Sequence, residues 1–248
     1  MQPVMIVTGG GRGIGAATAR LAAARGWAVA VNYLRDARAA HDVVAEIAAA
    51  GGTAIAVQAD VGREDEVARL FAAVDAGLGT PGALVNSAGV VDCKARVDEM
   101  DERRLLRMFR TNVIGSMLCA AAAVRRMSTR RGGAGGAIVN VSSAAACHGS
   151  PGEYVDYAAS KAAVDTFTLG LAREVAAEGV RVNAVRPGII TTEIHASGGD
   201  PGRAERLAPT LPMRRPGTPD EVAHAIVWLA SGEASYCTGA LLDVSGGR

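Results

Sequence analysis

The feature that most restricts the fold of this chain is a regular alternation of short β-branched segments and longer alanine-rich segments. The short segments predict strands with the sequences VMIV from Val4, AVAVNY from Ala28, TAIAVQ from Thr53, ALVN from Ala83, AIVNVSS from Ala137, VRVNAV from Val180 and ALLDV from Ala240. Segments between them, such as GAATARLAAARG and EDEVARLFAAVDAGL, have helical spacing. Nearly continuous apolar strands separated by helices are typical of a parallel sheet that is covered on both faces.

This alternation predicts a doubly wound, Rossmann-like α/β fold, because right-handed crossovers place helices on both faces of a parallel sheet of about seven strands. The chain has 248 residues, of which 49% are hydrophobic, so it can bury a sizeable core. No proline-rich linker and no repeat of fixed length interrupts the pattern. We therefore expect residues 1–248 to form a single domain.

Charge and cysteine content exclude several classes of function. The net charge of +1 is too small for a nucleic-acid-binding surface, and we expect the basic segment RRMSTRRGG to be a solvated loop. The four cysteines are widely separated and lack a metal-ligand spacing, which favours a reducing compartment. The sequence predicts neither a signal peptide nor a membrane span. We therefore expect a cytoplasmic protein without a metal site, and without nucleic-acid or membrane partners.

A glycine-rich segment follows the first predicted strand, at the point where this fold binds ligands. It reads TGGGRGIG and leads directly into a predicted helix. Glycines allow a tight turn and a close approach to a diphosphate, and the free N–H groups of a helix start attract its charge. A bare turn would also need glycine, but the surrounding βα pattern favours nucleotide binding. The predicted contacts are Gly9, Gly11, Arg12, Gly13, Ile14 and Gly15.

The end of the second predicted strand bears on the choice between NAD and NADP. NAD-binding folds usually place an acid there, whereas NADP-binding folds place an arginine. Here Asn32 and Tyr33 stand where the acid is expected, and Arg35 follows. Arg12 and Arg35 could clamp a 2′-phosphate; alternatively, both are surface residues and Asp36 pairs with Arg35. We predict NADP as the cofactor, with NAD as the alternative.

Two of the four tyrosines lie in the segment GEYVDYAASKAAV, close to a lysine. If the segment is helical, Tyr157 and Lys161 lie on one face, whereas Tyr154 is two turns from the lysine and follows the turn signal GSPGE. A nearby ammonium lowers the pKa of a phenol. Tyr157 is therefore the candidate acid or base, although a packed tyrosine and a solvated lysine would give the same spacing.

The order of motifs along the whole chain resembles the short-chain dehydrogenase/reductase family. These motifs are TGGGRGIG, NSAG from Asn86, an asparagine at 112 in a long predicted helix, NVSS from Asn140, YAASK from Tyr157 and RPGIITT from Arg186. The likeness is strongest to glucose-dehydrogenase-like and 3-oxoacyl-carrier-protein-reductase-like members. Ser87 stands where a second asparagine is more usual. The resemblance implies an NAD(P)-dependent oxidoreductase that acts on the CH–OH group of donors.

The resemblance also implies a catalytic tetrad of Asn112, Ser143, Tyr157 and Lys161. In this scheme Tyr157 exchanges a proton with the substrate oxygen, and Lys161 lowers the pKa of that tyrosine and holds the nicotinamide ribose. Ser143 hydrogen bonds to the substrate oxygen, and Asn112 anchors a water that relays protons. Ser142, its neighbour on the strand end, points to the opposite face.

Further cofactor contacts follow from the same resemblance. Asp60 and Val61 flank the adenine, residues 86–89 line the adenosine ribose, and Ile190 and Thr192 contact the carboxamide and diphosphate region. Beyond the glycine-rich loop, the complete implied set is Tyr33, Arg35, Asp60, Val61, Asn86, Ser87, Ala88, Gly89, Tyr157, Lys161, Pro187, Gly188, Ile190 and Thr192.

We predict hydride transfer between NADP(H) and a small-molecule carbonyl or secondary alcohol. One alternative is a catalytically silent NADP-binding sensor or scaffold, which would have no need of Tyr157 and Lys161 together. Another is an epimerase or dehydratase, but such relatives usually carry a larger C-terminal substrate domain than this chain can form after RPG. His148 is either a substrate contact or a solvated loop residue, and adjacent Cys147 faces away from it.

A substrate lid is expected around residues 193–217, because the glycines and prolines of this segment suit a mobile loop. Its mixture of histidine, arginines and apolar residues does not identify the substrate.

The helix beginning near Asp98 and the helix carrying Tyr157 have longer apolar stripes than a sheet can cover. With the family resemblance, this predicts a homotetramer in which these helices pair and the C-terminal ALLDVSGGR adds an interface. The alternative is burial of both helices within the monomer.

Overall fold

Valine, isoleucine and alanine fill most strand positions, and each predicted strand is present close to its predicted bounds. The computed structural model describes residues 2–248, in which seven strands form one sheet. They are β1 (Val4–Thr8), β2 (Ala28–Tyr33), β3 (Thr53–Gln58), β4 (Pro81–Asn86), β5 (Gly136–Val141), β6 (Val180–Pro187) and β7 (Leu241–Val244). Their order is β3-β2-β1-β4-β5-β6-β7, and all neighbouring pairs are parallel. The predicted doubly wound sheet is confirmed.

Helices cover both faces of this sheet. They are α1 (Gly13–Ala24), α2 (Ala37–Ala49), α3 (Glu64–Gly77), α4 (Glu102–Phe109), α5 (Gly115–Met127), α6 (Ala145–His148), α7 (Val155–Val175), α8 (Ile194–Ser197), α9 (Arg203–Leu207) and α10 (Pro219–Ala230). Helices α1, α2 and α10 pack on one face, with Met5 and Val7 of β1. Helices α3, α5 and α7 pack on the other, with Val4 and Ile6. The alternation of side chains along β1 therefore supplies both layers of the core.

The long helix predicted to begin near Asp98 differs from the prediction in two respects. It begins at Glu102, because the Asp101 side chain accepts a hydrogen bond from the N–H of Arg104 at 2.8 Å and caps α4. A π-helical turn over Arg110–Ile114 then joins α4 to α5. Such turns are frequent at functional sites, and this one carries Asn112.

The order of the strands determines where on the sheet a ligand site can form. Strand β1 lies between β2 and β4, so successive crossovers leave it in opposite directions. This reversal of strand order makes the carboxyl ends of β1 and β4 the point at which folds of this type form a crevice and bind ligands. Within residues 2–248, no helix has both the length and the apolar character needed to cross a membrane.

Candidate active site

The glycine-rich loop after β1 is held in a tight turn by its neighbours. Gly9 has a φ of +62°, in the left-handed region that favours glycine. A Cβ at Gly15 would overlap the carbonyl oxygen of Gly9. Asn32, at the end of β2, accepts hydrogen bonds from the N–H of Gly10 at its backbone oxygen (2.9 Å) and from the N–H of Gly9 at its side chain (3.3 Å). Asn32, at the strand end predicted to select the cofactor, therefore also holds the glycine-rich loop in its conformation.

Thr8 ties the loop after β4 to the end of β1. Its hydroxyl oxygen accepts hydrogen bonds from the N–H groups of Ser87 at 3.0 Å and Ala88 at 3.1 Å. A Cβ on Gly9 would lie 2.9 Å from the Cα of Ala88, so only glycine allows this approach. The loop after β4 therefore lies against the glycine-rich loop at Ser87 and Ala88, and its contact with the adenosine ribose stays a prediction.

The two arginines predicted to select NADP are both exposed. Arg12 precedes α1 and Arg35 follows β2. The alternative pairing of Asp36 with Arg35 is absent, because the Asp36 carboxylate instead caps α2 and accepts from the N–H of Ala39 at 3.0 Å. In the part of the chain that the structure describes, neither arginine is within ion-pair distance of a carboxylate. Both guanidinium groups are available to an anion.

The remaining predicted cofactor residues lie at the same edge of the sheet. Asp60 follows β3, and its carboxylate accepts from the N–H of Gly62 at 2.9 Å, while Val61 is buried. Beyond β6, a Cβ on Gly13 would lie 3.3 Å from the Thr192 side chain, so the segment after β6 contacts the glycine-rich loop. Ile190 is buried beside this contact. The other members of the set are Gly11, Ile14, Tyr33, Pro187 and Gly188, all half-buried or buried.

Ser142 and Ser143 follow β5 and make different contacts, as predicted. The Ser142 hydroxyl is buried and donates to the backbone oxygen of Lys161 at 3.2 Å. The Ser143 hydroxyl accepts from the N–H of Ala145 at 3.1 Å and is near enough to the Tyr157 phenol to influence its pKa. Ser143 is therefore the serine that shares a site with Tyr157.

Tyr157 and Lys161 lie on one face of α7, with the Lys161 nitrogen 5.6 Å from the centre of the tyrosine ring. The Lys161 ammonium donates to the backbone oxygen of Val141 at 2.8 Å, and burial lowers its pKa to about 8. Burial raises the pKa of Tyr157, and the interaction with Ser143 opposes that rise. The largest influence on the Tyr157 pKa is therefore the loss of hydration, and its expected lowering by Lys161 stays a prediction.

Tyr154 is the N-cap residue of α7 and lies outside the helix, as its turn signal indicated. Its ring is buried and carries the Arg203 guanidinium 5.1 Å from its centre. Arg203 also forms a bidentate ion pair with Glu153, at 3.1 Å and 2.5 Å. Lys94, from the loop after β4, bridges Glu153 and Asp200 at 3.0 Å each. These charges connect the expected lid to the turn that precedes α7.

Asn112 lies beside Lys161 but holds the backbone with its side chain. Its amide accepts from the N–H of Val90 at 2.8 Å and donates to the Val90 oxygen at 3.0 Å. It also donates to the Ser160 hydroxyl at 3.0 Å. A Cβ on Gly89 would lie 3.5 Å from the Lys161 nitrogen and 3.6 Å from the Asn112 oxygen. All four tetrad residues are thus brought to one region of the crevice.

One ion pair near Tyr157 has no counterpart in the sequence predictions. Asp156 is fully buried and accepts from the Arg104 guanidinium at 2.7 Å and from the N–H of Tyr157 at 2.9 Å. Arg104 lies on α4, more than fifty positions earlier in the chain. Sequence spacing carries no signal for a pair that only the tertiary fold brings together.

The histidines and cysteines do not extend this site. His148 and Cys147 are exposed at the end of α6. His195 makes a hydrogen bond to the backbone oxygen of Ile190 at 2.9 Å, and burial lowers its pKa. Among the residues described, no group of three histidine, cysteine or acidic side chains is arranged to hold a metal ion.

Comparison with known proteins identifies relatives over the whole chain. The profile of the family described as enoyl-(acyl carrier protein) reductase matches residues 9–248. The chain is 53% identical over 245 residues to the uncharacterized oxidoreductase YgfF of Escherichia coli K12, a match that covers 99% of each protein. It is 40% identical over 247 residues to a 3-oxoacyl-(acyl-carrier-protein) reductase of Synechocystis sp., covering 98% of this chain and 96% of that protein.

A solved structure agrees with the fold. The crystal structure of a short chain dehydrogenase from Burkholderia cenocepacia, in complex with NADP, has a TM-score of 0.89 and 33% sequence identity to this chain. The match covers 99% of this chain and 97% of that one. With its doubly wound sheet and these relatives, the chain belongs to the short-chain dehydrogenase/reductase family of oxidoreductases.

Proposed function

We propose that the protein interconverts a carbonyl compound and the corresponding secondary alcohol, with NADP(H) as the hydride carrier. The observation that supports this most is the grouping of Ser143, Tyr157 and Lys161 beside the crevice that the glycine-rich loop borders. A sensor that only bound the nucleotide would not need a buried cation behind a tyrosine.

The residues around the crevice suit a dinucleotide. A Cβ at Gly9 or Gly15 would fill the loop that we assign to the diphosphate, and the start of α1 offers free N–H groups there. Exposed, unpaired Arg12 and Arg35 suit a 2′-phosphate, which supports NADP over NAD. The related Burkholderia structure contains NADP. We assign the adenine to the neighbourhood of Val61 and the nicotinamide end to Ile190 and Thr192.

The bound nicotinamide would supply or accept the hydride. Hydride addition to a carbonyl leaves negative charge on its oxygen, which a positioned proton donor must neutralise. Tyr157 donates this proton from its phenol oxygen, and its raised pKa keeps that oxygen protonated at neutral pH. Ser143 donates a hydrogen bond to the same substrate oxygen. The Lys161 ammonium stabilises the phenolate that remains, and Asn112 holds the loop after β4 against α7.

Purified protein incubated with NADPH and a panel of carbonyl compounds tests this proposal. We expect NADPH absorbance to fall with at least one ketone, keto-ester or acyl thioester. Binding of NADPH without turnover across the whole panel would favour the silent sensor instead. A preference for NADH under the same conditions would contradict the assignment of the 2′-phosphate site.

We further propose that the protein works as a homotetramer. Large apolar side chains are exposed along α4, the π-helical turn and the start of α5: Leu105, Leu106, Ile114 and Met117. A neighbouring subunit would remove this apolar surface from water.

The four cysteines are free thiols, which supports the cytoplasm as the site of the reaction.

A further inference from the structure

One buried carboxylate near the candidate site has no role in the proposed reaction. Asp165 lies on α7 one turn after Lys161, just as Lys161 lies one turn after Tyr157. The three side chains therefore share one stripe of the helix. The Asp165 side chain is only 9% exposed. Carboxylates are rarely buried to this degree unless a cation or a hydrogen bond compensates them.

The compensation of Asp165 is incomplete. One carboxylate oxygen accepts from the Arg186 guanidinium of β6 at 2.9 Å. The other oxygen is buried and has no hydrogen-bond partner among residues 2–248. Arg186 is itself shared, since the Asp243 carboxylate of β7 lies 3.8 Å from its guanidinium. The ion pair with Arg186 therefore leaves one buried oxygen of the Asp165 carboxylate uncompensated.

Lys161 is the cation one turn before Asp165 on this stripe. Its ammonium donates to Val141 of β5, and that residue pairs in register with Val185, next to Arg186 on β6. The groups that face Lys161 from the π-helical turn and the β4 loop are the neutral amide of Asn112 and the backbone at Gly89. On α7 itself the flanking titratable groups are Tyr157 and Asp165. Lys161 forms no ion pair within the described part of the chain, so Asp165, the carboxylate one turn further along α7, acts on it through space rather than by direct contact.

We propose that Asp165 is a positioning residue, an internal counter-ion that keeps the Lys161 ammonium charged at the pH of the reaction. Arg186 shares the carboxylate and so limits how strongly it acts on the lysine. The inference rests on the proposed role of Lys161 behind Tyr157. It agrees with the two opposing influences on Lys161, because burial lowers the pKa of the lysine and the charge of Asp165 raises it.

The chain offers an unusually direct test, because it contains only two lysines, Lys94 and Lys161. Protein labelled with 13C at lysine Cε therefore gives two resonances, and Lys161→Met assigns them. Lys161 should titrate near pH 8, whereas the ion pairs with Asp200 and Glu153 raise the pKa of Lys94. Lys94 is thus an internal control that stays protonated between pH 6 and about pH 10.

Two substitutions should move the Lys161 midpoint in opposite directions. Asp165→Asn keeps the shape and an acceptor for Arg186 but removes the negative charge, so the midpoint should fall by about one pH unit or more. Arg186→Gln frees the carboxylate for Lys161, so the midpoint should rise. Asp75→Asn removes a carboxylate that pairs with Arg126 on the surface and should leave the midpoint unchanged.

An unchanged or higher midpoint in Asp165→Asn would overturn the proposal, and so would a fall in both variants, which would indicate general disturbance around Lys161. If Asp165→Asn does not fold, the Arg186→Gln variant becomes the test. A higher Lys161 midpoint in that variant would support the proposal, and an unchanged or lower midpoint would contradict it. The titration needs no substrate, so its outcome is independent of the proposed activity. If the enzyme turns over, the alkaline limb of kcat should move with the NMR midpoint in each variant.

Discussion

Lys161 carries its charge in a place almost without water, since only 5% of the residue is exposed. Burial lowers its pKa from 10.5 to about 8, so the folded state holds the proton less tightly than the unfolded state. Below pH 8 both states are protonated and the folded protein bears the full penalty of the buried charge. Between about pH 8 and 10.5 the folded state releases its proton first, so stability rises with pH as this penalty disappears.

We therefore expect Lys161→Met to be more stable than the parent at pH 7. The substitution removes the cost of the buried charge but also removes the hydrogen bond to Val141. The free energy of unfolding should therefore increase by about 2 kcal/mol, which raises Tm by roughly 5 °C. The difference should narrow as pH rises from 8 toward 10. Scanning calorimetry at several pH values measures this difference in Tm. Lys94→Met is the control, because it removes an ion-paired lysine and should not increase the stability. A lower Tm for Lys161→Met at pH 7 would refute this account of the buried charge.

We also attribute the cofactor choice to single side chains. Arg12 and Arg35 have no carboxylate partner within the described part of the chain, so both can pair with a 2′-phosphate. Replacing both with alanine should raise the KM for NADPH more than tenfold relative to that for NADH, because each charge-assisted contact contributes roughly 1.5–3 kcal/mol. Arg25→Ala, at the far end of α1, is the matched control. Equal changes for both cofactors would assign the choice to the backbone or to Asp36.

At the scale of elements, the expected lid is joined to α7 by charge. Arg203 of α9 is only 9% exposed in its side chain, pairs with Glu153 and stacks on Tyr154. This pairing lowers the pKa of Glu153 to about 2, so the carboxylate stays ionised at any ordinary assay pH. The first tyrosine of the YVDY segment, Tyr154, thus contacts the lid, whereas we assign the proton transfer to Tyr157.

Removing Arg203 should loosen this connection. We expect Arg203→Ala to raise the KM for the carbonyl substrate roughly tenfold, since a bidentate contact between charged groups is lost, with a smaller change in the KM for NADPH. Arg206→Ala is the control, because Arg206 pairs with Asp200 inside the lid and is 53% exposed. Steady-state kinetics of the two variants decide the matter. Equal KM values for Arg203→Ala and the parent would show that this ion pair does not hold the lid.

Elements were predictable from the sequence where their signal is local. Strands such as β2 and β3 follow from β-branched runs, and the start of α7 follows from the turn before it. The π-helical turn around Asn112 was not predictable, because nothing in the helical periodicity of that segment distinguishes it. The Arg104–Asp156 and Asp165–Arg186 pairs were also missed, since each joins residues that only the folded sheet brings together.

At the scale of the whole molecule, the exposed apolar side chains of α4 and α5 predict self-association. Leu106 is 63% exposed and Ile114 is 48% exposed, on one continuous helical segment. Light scattering at micromolar concentration should give about four times the 25.2 kDa of one chain. Leu106→Glu should lower that mass by placing a charge in the interface. A monomeric mass for the parent protein would mean that this surface has another purpose.

We propose that Tyr157 transfers the proton in an NADPH-dependent carbonyl reduction. The steady-state rate of NADPH oxidation by Tyr157→Phe tests this role, with Tyr154→Phe as the matched control in the same segment. Each phenylalanine keeps its ring, so only a hydroxyl is lost. We predict that Tyr157→Phe binds NADPH normally but loses at least about a hundredfold in kcat, while Tyr154→Phe keeps most of its turnover. A Tyr157→Phe enzyme with kcat close to that of the parent would contradict the account.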